Sequence, residues 1–227
     1  MKISINDVGD KVRFSISDYD EKYMDVFKMC FYNETDGVFY KEFSKDYKYI
    51  NNVIENFENN AEEMFNQLGY FSDVPWQDAL RLFCEKVKGY NIDWWLTGSC
   101  ASCIRGISLK PHDVDIMVDS KDVYLIEDIF AENLIEPVVD TGGWLTKDFG
   151  VIFLNARIDI ASDPVESLDD PIPVDCGPTA KKSLEIINWE GFEIKVPPIE
   201  LQLNANKIRN RLDRAKLIED YIDSIDK

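Results

Sequence analysis

The sequence predicts a chain of the α/β class in its α+β form, and three stretches predict it. Residues 49–68 place Ile50, Val53, Ile54, Phe57, Ala61, Met64, Phe65 and Leu68 at helical spacing before Gly69. Residues 2–44 have strand character, with Val12, Phe14 and Ile16 alternating with polar neighbours. Residues 112–118, His-Asp-Val-Asp-Ile-Met-Val, put Val114, Ile116 and Val118 on one side of a strand and Asp113, Asp115 and Met117 on the other. The expected organisation is an N-terminal β-meander with helices over residues 1–90 and a second domain over residues 91–227.

In chain order, the aromatic-rich run from Tyr23 to Tyr32 and the run Val38-Phe39-Tyr40 flank a hairpin-turn composition at residues 33–37, completing an antiparallel meander. A second amphipathic helix carries Trp76, Ala79, Leu80, Phe83 and Val87 and stops at Gly89. Trp94 to Leu96 is a short strand that ends at Thr97-Gly98-Ser99, and Ser99 is expected to cap a helix of under two turns closed by Gly106. Ser120 is expected to cap a helix over residues 121–130, followed by a strand over 135–139 and one or two strands over 151–161. Residues 162–178 hold four prolines and five acids and read as an irregular loop. Thr179 is expected to cap a helix through Ile187, and residues 192–196 form a strand before Pro197-Pro198. A last helix carries Leu201, Ala205, Ile208, Leu212, Ala215 and Ile222 on one stripe, with a bend near Glu219.

Composition narrows the function classes. The chain has 43 acidic against 25 basic residues, a net charge of -18, so a long nucleic-acid footprint is not expected. A cationic partner suits such a surface better. The first ten residues lack an apolar core segment and no stretch approaches 18 apolar residues, so a cytoplasmic protein is expected. Five cysteines, an odd number in a long chain, point to reduced thiols. Cys100 and Cys103 are expected to be small packed residues behind the Gly-Ser turn.

Two carboxylates on one strand face repel each other unless a cation lies between them, and hard oxygen ligands suit Mg2+ bound together with phosphates. Backbone N–H groups at the Gly98-Ser99 turn favour anions, and glycine lets a phosphate approach the backbone closely. Thirteen residues from Ser99 to Asp113 leave room for a short helix and a return to a neighbouring strand. The apolar run follows the Asp pair, unlike the order in haloacid-dehalogenase phosphatases and many glycosyltransferases. Between Lys207 and Lys216 lie five basic residues and one acid, and Lys207, Arg211 and Arg214 share a helix face suited to a triphosphate. A solvated charged face is the alternative.

An apolar strand, Gly98-Ser99, a short helix with Ala101 and Arg105, and Asp113-x-Asp115 heading an apolar strand together resemble the nucleotidyltransferase superfamily, the fold of DNA polymerase β and the aminoglycoside and lincosamide nucleotidyltransferases. The resemblance implies a mixed, mainly antiparallel sheet flanked by helices, with residues 91–227 as the nucleotidyltransferase-like domain. It implies catalytic, metal-binding roles for Asp113 and Asp115 and makes Asp159 the candidate third carboxylate. Pairing of Asp159 with Arg157, or an exposed position, is the other reading. Gly98, Ser99, Lys207 and Arg211 would hold the nucleotide.

The implied reaction is Mg2+-dependent transfer of a nucleoside monophosphate from an NTP to a hydroxyl of a small-molecule, cationic acceptor, releasing pyrophosphate. A transferase acting on a protein or RNA, and a non-catalytic nucleotide-binding protein of the same fold, stand beside that reading. His112, the only histidine, occupies a place where the family commonly has Ser or Thr. It is either an exposed loop side chain or a proton acceptor or substrate contact.

Overall fold

The computed structural model describes residues 1–225. Its elements are β1 (Lys2–Val8), β2 (Lys11–Ser17), α1 (Met24–Met29), β3 (Asn33–Thr35), β4 (Val38–Ser44), α2 (Ile50–Leu68), α3 (Trp76–Val87), β5 (Trp94–Thr97) and α4 (Gly98–Cys103). They continue with β6 (Val114–Val118), α5 (Val123–Ile129), β7 (Leu134–Asp140), β8 (Thr146–Leu154), β9 (Ala156–Pro164), β10 (Glu185–Trp189), β11 (Phe192–Val196), α6 (Ile199–Ile208) and α7 (Leu212–Ile225). The class is mixed α/β with mainly antiparallel sheets flanked by helices, as the sequence predicts. No described helix is long and apolar enough to cross a membrane.

The central sheet has five strands in the order β5-β6-β9-β8-β7. Only β6 and β9 run parallel; the other neighbours are antiparallel. Strand alternation divides this sheet into two faces. Leu96, Val114, Ile116, Val118, Ile158 and Ile160 are at most 1% exposed and join the main core with α2, α3 and α5. The opposite face carries Asp115 and Met117 from β6, Asp159 and Ala161 from β9, and Trp95 from β5.

Helix α2 holds the two halves of the core together. Its apolar stripe of Val53, Phe57, Ala61, Met64, Phe65 and Leu68 is buried in one continuous cluster with Phe14 and Phe39 of the N-terminal sheet and Ile116 and Ile158 of the central sheet. Each such aliphatic or aromatic side chain contributes about 1.5–3 kcal/mol by leaving water. Phe65 packs edge-to-face on Phe27 at 5.0 Å, so truncation there loosens both halves.

Five local expectations are corrected. Residues 23–30 are helical rather than a strand of the meander: Tyr23, Val26, Phe27 and Cys30 are the buried positions, and their i, i+3, i+4, i+7 spacing outweighs the aromatic content. Ser99 does not cap α4, whose first residue is Gly98; its hydroxyl accepts a hydrogen bond from Arg214 instead. Ser120 does not cap α5, which begins after Asp122. The helix expected from Thr179 to Ile187 shrinks to a single 3-10 turn at Ala180–Ser183, and Glu185 onwards pairs with β11 as a hairpin across Glu190-Gly191. The C-terminal helix breaks at residues 209–211 rather than near Glu219, because Asn210 takes φ +52. Glu219 then faces back across the break and pairs with Lys207 at 2.7 Å.

Candidate active site

The carboxylates are brought together by strand register. Parallel pairing of β6 with β9 sets Asp115 opposite Asp159, and Asp113 lies just before β6 on the same side. Ligand oxygens of Asp113, Asp115 and Asp159 lie within 4.8 Å of one another. Gly98 borders them directly. It takes φ +64, and a Cβ built there would meet Asp115 Oδ2 at 2.0 Å. The turn therefore requires glycine twice over, for its backbone angle and for the carboxylate beside it.

The electrostatics of the three acids differ. Burial, then the charges of Asp113 and Asp159, push Asp115 well above the usual carboxylate range. Burial also raises Asp159, although the Arg157 guanidinium pulls the other way. Arg157 Nε lies 2.5 Å from Asp159 Oδ1, and its Nη1 is 3.5 Å from Cys30 Sγ. Asp159 is thus paired with Arg157 and also sits among the acids. For Asp113, burial is outweighed by neighbouring His112, Arg157 and Arg214, which hold it below its ordinary value. His112 Nδ1 stands 3.1 Å from Asp113 Oδ1, close enough for a strong charge contact. His112 itself is pushed up: burial opposes its proton and is outweighed by Asp113 and Asp115.

A basic group faces the acids. Arg209, Arg211 and Arg214, at and after the break between α6 and α7, line the cleft together with Gly98, Ser99 and His112. Arg214 Nη1 donates to Ser99 Oγ at 2.9 Å. Burial and the charges of Arg209 and Arg214 lower the pKa of Arg211, against the opposing pull of Asp115 and Asp113. Lys207 is not part of this group. Its ammonium is on the surface beside Glu219, because the break at Asn210 turns α7 out of register with α6.

Asp175 is the participant that sequence reasoning missed. Its carboxylate accepts from Gly98 N–H at 3.0 Å and its carbonyl from Thr97 Oγ1 at 3.1 Å, so the segment that follows β9, beginning at residue 165 rather than at 162, clamps the Gly-Ser turn. Asp169 fixes that loop by accepting from the N–H groups of Val174 and Thr179. Nothing local in the sequence marks Asp175; its partner lies 77 residues away. Arg209 and Arg214 lay within the basic run already singled out. The cleft encloses about 310 Å³, within the range of small-molecule sites.

Residues 79–178 match the family model described as aminoglycoside-2''-adenylyltransferase. The matched stretch contains β5, the Gly98-Ser99 turn, α4 and all three carboxylates. This segment is similar to nucleotidyltransferases of that family. Among solved structures, a candidate nucleotidyltransferase from Thermotoga maritima is 21% identical, with a TM-score of 0.47 over 64% of this chain and 91% of that one. A lincosamide antibiotic adenylyltransferase with lincomycin bound is 13% identical, with a TM-score of 0.46 over 65% and 98%. An antigenic nucleotidyltransferase-like protein from Paracoccidioides brasiliensis is 14% identical, with a TM-score of 0.41 over 65% and 78%. No curated protein matches the chain by sequence.

Proposed function

We propose that this protein transfers a nucleoside monophosphate from a nucleoside triphosphate to a hydroxyl of a small-molecule acceptor, releasing pyrophosphate in a Mg2+-dependent reaction. The observation that carries this reading is the convergence of Asp113, Asp115 and Asp159 within 4.8 Å beside the Gly98-Ser99 turn. The donor set fits a divalent cation: three hard carboxylate oxygens, with Asp115 raised by burial and by the charges of the other two. Asp113, Asp115 and Asp159 would hold Mg2+. When bound, it would polarise the α-phosphate and lower the pKa of the attacking hydroxyl.

The chain's own groups supply the rest. Arg214, half-buried, and Arg211, exposed at the cleft, offer the triphosphate charge-assisted hydrogen bonds. Arg214 also orients the Ser99 hydroxyl. Arg157 occupies one oxygen of Asp159 and leaves the other for the site. The charge of His112 favours an ionised Asp113. Asp175 holds the Gly98 turn against Asp115. The matched family's description as an adenylyltransferase supports ATP as the donor.

The test is incubation with each α-labelled NTP, Mg2+ and a panel of acceptors that includes cell lysate. Label on a small molecule is the expected result. Label on a macromolecule would redirect the reading to a protein or RNA transferase, and NTP binding with no label moved would make the protein a non-catalytic binder.

A further inference from the structure

The cleft changes character across the sheet. Strand order sets the Ser99 turn at the β5 side, Asp115 and Asp159 in the middle, and Phe149 of β8 beyond them. On that far side the lining is apolar: Phe149, Leu145, Trp144 and, from the end of α1, Phe31. The rings of Phe31 and Trp144 meet edge-to-face at 4.4 Å, yet the residues are 63% and 49% exposed. Phe31 ends α1 at φ +59, a left-handed position where helices usually place glycine. A bulky aromatic is held there at a conformational cost, with its ring outside the core. Such outliers persist where the surrounding structure holds them, and they cluster at ligand sites.

An in-line displacement has its leaving group and its nucleophile on opposite sides of the phosphorus. With pyrophosphate leaving on the side of Ser99 and Arg214, the attacking hydroxyl arrives from the β8 side. Resting on the nucleotidyltransferase reading above, we propose that Phe31 and Trp144 form the acceptor subsite, and that the acceptor is a hydroxyl compound presenting an apolar ring or alkyl face without strong positive charge. Charge in the cleft agrees. Asp113, Asp115 and Asp159 are its only lining carboxylates among the described residues, and all three belong to the metal site, while four arginines also line it. No carboxylate is left for a polycation, despite the acidic surface of the chain.

The test is calorimetric titration of the full chain loaded with Mg2+ and a non-hydrolysable ATP analogue. The probes are phenyl and methyl β-D-glucopyranoside, which differ only in the apolar group, and the polycation kanamycin. The phenyl glycoside should bind at least about tenfold more tightly than the methyl one, the scale of burying one aromatic ring. Trp144→Ala and Phe31→Gly should each cut that preference to about threefold or less while leaving affinity for the analogue within about twofold. Phe31→Gly should also raise the unfolding temperature, because it relieves the left-handed strain, so its lost preference cannot come from misfolding. Equal affinity for the two glycosides, tighter binding of kanamycin, or variants that lose the analogue instead would overturn the acceptor assignment alone. An unmodified protein that fails to bind the analogue with Mg2+ would refute the nucleotidyltransferase reading and this assignment with it.

Discussion

Substituting Gly98→Ala tests the contact on which the site geometry turns. The backbone penalty is that of any L-residue forced to φ +64, about 1–2 kcal/mol. For a chain of this size that lowers the unfolding temperature by about 2–8 °C. The second consequence is local. A Cβ 2.0 Å from Asp115 Oδ2 forces the oxygen back by at least 1 Å to reach the 3.0 Å limit of real contacts. A displacement of that size at a reacting centre costs about a hundredfold in rate. Gly9→Ala is the matched control, since Gly9 takes φ +62 with nothing within 4 Å of its Cβ. Both variants should lose similar stability in thermal unfolding, but only Gly98→Ala should lose about a hundredfold in pyrophosphate release. Equal turnover in the two variants would refute the interlock of turn and carboxylate.

Asp115→Asn should keep the fold and lose at least about a hundredfold in Mg2+-dependent turnover, because metal stabilisation of the transition state is worth several kcal/mol. Without metal, the same variant should melt at the same temperature or higher. The gain has a pH signature: the folded pKa of Asp115 is raised, so the wild type loses stability as pH climbs from the ordinary carboxylate value towards the folded one. Variant and wild type should therefore unfold together near pH 3.5 and diverge by pH 7.5, on the scale of an ordinary carboxylate pKa of about 3.9; a constant offset would contradict the assignment. Arg214→Ala should weaken NTP binding by about 1–3 kcal/mol in titration calorimetry. Lys207→Ala should change it by less than about twofold, since that ammonium is engaged with Glu219 at the surface; the reverse ranking would show that the break between α6 and α7 is misplaced.

What was legible in the sequence was local. The parity of Asp113 and Asp115 follows from strand alternation alone, and an acid between Ile158 and Ile160 singled out Asp159 by the same rule. Their meeting required only that β6 and β9 be neighbours. Helices α2 and α3 were legible because their apolar positions repeat at helical period over many residues. The aromatic run from Tyr23 misled because residue type was weighed above spacing, although its buried positions repeat at helical intervals. The C-terminal helix misled for a different reason: a single left-handed Asn210 resets the phase, so Arg214 faces the cleft while Lys207 does not. Asp175 was illegible because its role exists only once a long loop folds back onto Gly98.

The central claim is that the aspartates bind metal for nucleotidyl transfer rather than for phosphoryl transfer or hydrolysis. Parallel reactions with α-labelled and γ-labelled ATP, Mg2+ and acceptor decide it, run with the unmodified protein and with Asp115→Asn. The predicted result is α-label on the acceptor, γ-label recovered only as pyrophosphate, and loss of both in the variant. Label from the γ-position on the acceptor, release as orthophosphate, or an unaffected Asp115→Asn protein would contradict it.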